Sequence, residues 1–186
     1  MATDARIRYT KMVIQDAFIA LLKEKPVNKV TVKEICDRAQ INRATFYRYY
    51  RDPFDLLDKI EEEMLSQLQS NLQTSPRRFR EIFAFIMTSI RADGERYQTL
   101  VSANGDSAFP RRIFSLCYKH IAEDLRKQFP NLSPLHQEWF SAQGCCGILE
   151  RWIGSGMGES IEEVSGFAQK LIEATTKAMA IHPVLI

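Results

Sequence analysis

The sequence predicts an all-α chain of about nine helices, on three observations. Apolar residues recur at helical spacing in nearly every segment, and no segment sustains the alternation of a half-buried strand. Helix-start signals separate the stripes, at Thr31, Asn42, Asp52, Ser75, Ser133 and Ser160.

The first helix is expected over residues 6–25, where Ile14, Ala17, Phe18, Leu21 and Leu22 form one stripe that Pro26 and Asn28 end. Thr31 followed by Glu34 is a capping box, so a second helix starts there with Val32, Ile35, Cys36 and Ala39 on one face. After a break at Gln40 and Ile41, Asn42 caps a third helix reaching Arg51. Asp52 and Pro53 supply an N-cap and a first-turn proline for a longer helix to about Leu72. Ser75 and Pro76 repeat that signal, ahead of Phe79, Ile82, Phe83, Ile86 and Ile90, until Asp93 and Gly94 interrupt. A brief helix over 95–103 is followed by punctuation at Asn104, Gly105 and Asp106. Pro110 then lies near the start of a long amphipathic helix marked by Phe114, Cys117, Tyr118, Ile121, Leu125 and Phe129. Ser133 and Pro134 open the next helix, carrying Leu135, Trp139, Ile148, Leu149 and Trp152 until the glycines at 154, 156 and 158. Ser160 with Glu163 is another capping box, and the last helix is expected to carry Ile161, Val164, Ala168, Leu171, Thr175 and Ala178 on one face.

At 45% apolar and 26% charged, the 186 residues have the composition of a folded globular chain and not of a disordered, fibrous or disulfide-framed one. The net charge of +2 conceals an asymmetry. Residues 1–51 hold eleven Lys and Arg against five Asp and Glu, a net of +6, whereas residues 52–186 hold fourteen against eighteen, a net of −4. A basic head on a mildly acidic body fits a polyanion met by one end. No apolar run is long enough to span a membrane, and the start, with Asp4, Arg6 and Arg8, lacks a signal-peptide core, so a cytoplasmic location is expected. Cys36, Cys117, Cys145 and Cys146 have no metal-ligand spacing, and His120, His136 and His182 do not cluster with them, so reduced thiols and no metal or cofactor are expected.

Two short helices joined by a tight turn, the second crowded with basic and aromatic residues, form the arrangement that lets a helix enter the major groove. Residues 31–51 have it. With Phe46, Tyr50 and Ile41 packed inward, Arg43, Ala44, Thr45, Tyr47 and Arg48 turn outward. Arg43 and Arg48 suit guanine edges or phosphates, Ala44 and the Thr45 methyl suit a thymine methyl, and Tyr47 can donate to phosphate. The plain alternative is a basic solvated face. Catalysis is not expected: the chain has no glycine-rich phosphate loop, no nucleophile elbow and no metal-ligand pair on a helix face, and His120 with Glu123 reads as a surface pair.

The stretch TVKEICDRAQINRATFYRYYRDPFDLL, residues 31–57, resembles the helix-turn-helix of the tetracycline-repressor (TetR) family. The resemblance implies three N-terminal helices for DNA, here residues 1–52, and a C-terminal helical bundle for dimerisation and effector binding, here residues 53–186. It carries the family's DNA-contacting positions onto Lys33, Arg43, Ala44, Thr45, Tyr47, Arg48 and Tyr49, with Thr31 at a helix N-terminus near a phosphate. Two positions depart from the family pattern: Gln40 stands where glycine is usual, and Pro53 where lysine is common. ERYQTLVSANGDSAF and FSAQGCCGILERWI resemble one branch of these regulators, which includes activators in dihydroxyacetone metabolism. Some members of that branch work through protein partners, which keeps an adaptor open as the alternative to an operator-binding regulator.

The small residues Ala142, Gly144, Cys145, Cys146 and Gly147 point to a homodimer interface on the last two helices, with Cys145, Cys146, Leu149, Trp152, Leu171 and Thr175 as its candidates. Close packing within one subunit is the alternative. Phe83, Met87, Tyr97, Phe114, Tyr118 and Trp139 either line a cavity for a small-molecule effector or fill the core.

Overall fold

The computed structural model describes residues 2–72, 78–106, 108–116, 118 and 134–181, without the side chains of 2–4, 71, 134–142 and 179–181. Among the described residues the regular structure is helical throughout: α1 (Ala2–Leu22), a short 3-10 turn (Val27–Lys29), α2 (Val32–Ala39), α3 (Arg43–Tyr47), α4 (Pro53–Leu72), α5 (Phe79–Ala92), α6 (Gly94–Val101), α7 (109–116), α8 (Pro134–Gly154) and α9 (Ile161–Ile181). The start signal at Ser75 and Pro76, and the stripe from Cys117 to Phe129 apart from Tyr118, lie outside the described residues. Among the described residues no helix is long and apolar enough to cross a membrane.

The chain forms two compact units, one from its start to Met64 together with Gln98–Ser107, the other from Leu65–Tyr97 and from Ala108 onward. In the first unit, α1 buries the expected stripe of Ile14, Ala17, Phe18, Leu21 and Leu22, which meets Ile35 and Cys36 of α2 and Phe46 of α3 in one apolar core. Burial of this kind contributes roughly 1.5–3 kcal/mol for each large apolar side chain. The buried Gln15 is satisfied by donating to Glu63 Oε2 at 2.8 Å and to Tyr50 Oη at 3.5 Å. α4 contributes Leu56, Leu57, Ile60 and Met64 to this unit.

In the second unit, α5 packs on α9, and α8 packs on α9. Ile82, Phe83, Ile86, Met87 and Ile90 of α5 are buried, as are Phe109, Ile113 and Phe114 of α7. α8 stops as the glycines predict: Gly156 has φ 90°, Met157 N–H donates to Trp152 O at 2.8 Å, and Gly156 N–H donates to Ile153 O at 3.1 Å, the two bonds that close a Schellman end. Arg91 of α5 clamps the following loop, donating to Met157 O and Glu159 O while lying 5.1 Å over the Trp152 ring. The Ser160–Glu163 capping box forms, with reciprocal amide bonds at 3.2 Å.

One expectation changes. α3 ends at Tyr47 and not at Arg51, because α4 takes the backbone groups beyond it: Lys59 Nζ donates to Tyr49 O at 2.8 Å and Arg51 N–H donates to Asp55 Oδ2 at 2.9 Å. The buried face of α9 is Ser165, Ala168, Ile172 and Thr176, whereas Leu171 is 36% and Phe167 58% exposed. Of the residues expected on one face, Ala168 is buried, Val164 and Thr175 are half-buried and Leu171 is exposed.

Candidate nucleic-acid interface

The two short helices are each held by their own ends. Thr31 N–H donates to Glu34 Oε2 at 3.0 Å and Glu34 N–H donates to Thr31 Oγ1 at 3.3 Å, which closes the capping box at the start of α2. Lys25 reinforces it by pairing with Glu34. That pair first, and the Thr31 bonds second, lower the Glu34 carboxyl from 4.5 to about 2. At the other end Gln40 adopts the left-handed conformation, φ 52° and ψ 45°, and Ile41 N–H donates to Cys36 O at 3.0 Å. The chain therefore reverses where glycine is the favoured residue, and Gln carries about 1 kcal/mol of backbone strain there.

Asn42 starts α3 by accepting from Thr45 N–H at 2.7 Å. Its Oδ1 also accepts from Thr45 Oγ1 at 2.9 Å, which fixes the Thr45 side chain. Phe46 is fully buried and Tyr50 nearly so, with their rings 5.7 Å apart, and this anchor sets which way the rest of α3 points. Arg43, Ala44 and Arg48 are exposed, Thr45 is half-buried, and Tyr47 is 57% exposed with its ring edge-on to Phe46 at 5.6 Å. Lys33 and Thr31 are exposed on α2, and Tyr49 is half-buried beside Tyr50.

Four cations of this unit are committed to carboxylates. Lys25 pairs with Glu34, Arg38 with Glu24 at 2.8 Å, and Arg51 and Lys59 both with Asp55 at 3.0 and 3.1 Å. Asp55 is buried, and its carboxyl is held below its ordinary range by the Arg51 N–H first, with the Lys59 and Arg51 side chains adding to it. Lys33, Arg43 and Arg48, in contrast, form no ion pair with any described carboxylate. The brace at Asp55 is a feature of this unit that sequence reasoning missed; its signal is the i, i+4 spacing of Arg51, Asp55 and Lys59.

The other candidates fall differently. Cys145, Cys146, Leu149 and Trp152 are buried within the single subunit. Burial pushes the two thiols up to about 12 at Cys145 and about 11 at Cys146. On the outer side of α8 and α9, Gln143, Gly147, Ile148, Arg151, Val164 and Phe167 line an open groove of about 700 Å³. Leu171 and half-buried Thr175 line a separate small cleft with Gly144. Of the effector candidates, Phe83, Met87, Tyr97 and Phe114 are buried. Phe83 stacks on Phe79 at 5.5 Å, Tyr97 on Phe109 at 6.0 Å, and half-buried Tyr118 meets Phe114 at 6.1 Å. The Trp139 side chain lies outside the described residues.

Comparison with known proteins agrees with this geometry. Residues 14–60 match the family described as bacterial regulatory proteins, tetR family, and residues 77–174, more than half of the chain, match its transcriptional regulator C-terminal region. An uncharacterised HTH-type transcriptional regulator of Bacillus subtilis, YxbF, is 35% identical over 51 residues, which are 27% of this chain and 13% of that protein. Among solved structures, a TetR transcriptional regulator from Streptococcus agalactiae superposes with a TM-score of 0.73 at 23% identity, over 92% of this chain and 98% of that one. The dihydroxyacetone kinase operon activator DhaS does so with a TM-score of 0.64 at 20% identity, over 91% and 97%. With the head and the C-terminal region both matched, the chain belongs to the TetR family of DNA-binding transcriptional regulators.

Proposed function

We propose that the protein is a repressor that binds a palindromic operator as a homodimer and leaves it when a small-molecule effector, or a protein partner, engages the C-terminal region. It acts in the cytoplasm and catalyses no reaction. The observation that carries the reading is that Lys33, Arg43 and Arg48, with exposed Tyr47, form no ion pair with a described carboxylate, whereas the remaining cation of α2, Arg38, is committed to Glu24. A cation without a carboxylate partner is free to displace counterions from phosphate. Arg43 and Arg48 read base edges or phosphates, Ala44 and the Thr45 methyl meet thymine, Tyr47 and Tyr49 donate to phosphate, and Thr31 and Lys33 hold a phosphate at the start of α2.

Two recognition helices would enter successive major grooves about 34 Å apart. The homodimer is proposed to form through the outer faces of α8 and α9, where Phe167 and Leu171 are exposed beside Gly144 and Gly147. An effector releases DNA only by binding one spacing of the two heads better than the other, with α4 as the lever between head and body.

The test is a footprint of the purified protein on DNA flanking its own gene, repeated with Tyr47→Ala and Arg48→Ala combined. We expect a symmetric protected site and a loss of at least tenfold in affinity in the double variant. Undiminished binding by a folded double variant would contradict the assignment. Specific binding absent at every salt concentration would leave the adaptor as the better reading.

A further inference from the structure

Helix α6 belongs to both compact units: the part up to Tyr97 lies with the second, and the part from Gln98 with the first. A tightly built turn follows it. Ser102 Oγ donates to Thr99 O at 2.7 Å and accepts from Asn104 N–H at 3.2 Å. Gly105 N–H donates to Ser102 O and Asp106 N–H to Leu100 O, both at 3.0 Å. A Cβ on Gly105 would lie 2.1 Å from Leu100 O, so glycine is what allows the chain to fold back this closely.

The turn presents Asn104 to the end of α1. Asn104 Nδ2 donates to Leu22 O, a helix-end carbonyl, at 2.9 Å. The backbone O of the same residue accepts from Val27 N–H, at the start of the 3-10 turn, at 3.2 Å. That 3-10 turn runs through Val30 into the Thr31 cap of α2. One asparagine, 82 residues along the chain from Leu22, thus holds the segment that sets where α2 begins.

We propose that Asn104 is a positioning residue for DNA binding, a pin through which the state of α6 is delivered to the start of α2. The proposal rests on the reading of α2 and α3 as the operator-contacting face. Because α6 is covalently continuous with the turn, a displaced or loosened α6 moves Asn104, and with it Leu22 O and Val27 N–H. The chain ahead of Thr31 then shifts, and the cap and Lys33 shift with it. Any ligand of the C-terminal region that alters α6 would change the head without touching it.

The test is native-state amide hydrogen exchange on the full chain without DNA. It compares the wild type, Asn104→Asp, which keeps the shape but loses the donor, Tyr97→Leu, which unstacks α6 from Phe109, and the double variant. Asn104→Asp is expected to speed exchange over residues 27–34 by roughly fivefold, the size of one hydrogen bond, and to leave residues 82–90 of α5 unchanged. Tyr97→Leu should speed the same amides in the wild-type background and add nothing in the Asn104→Asp background. A merely structural asparagine would give additive effects. Additivity, or head amides indifferent to either single change, would overturn the proposal. The readout uses no DNA, so failure of the wild type to bind an operator would be a separate result that removes the operator reading and leaves the pin measured.

Discussion

Gln40 is the residue at which this chain departs from a glycine, and its geometry says what the departure does. With φ 52° and ψ 45° it pays the left-handed penalty that glycine avoids, yet it is exposed and the turn it makes is closed by Ile41 N–H. We therefore expect Gln40→Gly to stabilise the protein by about 1 kcal/mol, read as a higher urea midpoint at an unchanged slope, because the substitution relieves backbone strain and removes no contact. Glu34, three residues after the cap, gives a pH-dependent counterpart. Its carboxyl is lowered from 4.5 to about 2 by the Lys25 pair and the Thr31 bonds. A depressed acid stabilises the fold fully above its unfolded value, and the contribution disappears as pH falls through its folded value. The stability difference between wild type and Glu34→Gln should accordingly be constant above about pH 4.5 and shrink between there and about pH 2. A difference that stays level down to pH 2 would mean that the carboxylate charge at this cap is not what the fold uses.

At the scale of helices, the ends that were legible are those that a single local residue sets. Thr31 with Glu34, Asn42, and Ser160 with Glu163 each form the cap their spacing predicts, since a cap needs only a side chain and the first turn. The end of α3 was not legible, because Lys59 and Asp55 decide it from another helix. The face of α9 that meets the core was not legible for a related reason. Ala168 and Ile172 are apolar on the buried side while Phe167 and Leu171 are apolar on the open side, so periodicity cannot say which stripe faces the core. On α8 the small side chains left Cys145 and Cys146 open to an interface or to packing within one subunit, and both are buried inside the single subunit. Burial holds both thiols protonated, which gives a direct check. At pH 8 a small alkylating reagent should leave Cys145 and Cys146 unmodified in the folded protein and label both after denaturation, as read by peptide mass. Prompt labelling of either in the native state would contradict the assigned face of α8.

For the whole molecule, the proposed reading links dimerisation and DNA affinity through the faces of α8 and α9 that carry Phe167 and Leu171. The outer groove of α8 and α9 carries Phe167 at 58% exposure, and the glycines at 144 and 147 have open space where a Cβ would stand. A bulky apolar side chain beside a small-residue groove on one face is self-complementary, which is what a two-fold interface requires. Phe167→Glu puts a charge on that face without disturbing the buried residues of α9, so on the proposed reading it should sediment as a folded monomer with unchanged helix content. Each subunit then contributes its phosphate contacts alone. The slope of log affinity against log salt, close to 0.9 for each phosphate neutralised, should fall to about half of the wild-type value. Affinity should fall further than the slope implies, because two tethered heads gain from effective concentration and a single head does not. A Phe167→Glu protein that stays dimeric and keeps the full slope would place the subunit contact elsewhere. One that becomes monomeric and keeps the full slope would show that a single head makes all the phosphate contacts, and the two-fold operator would go with it.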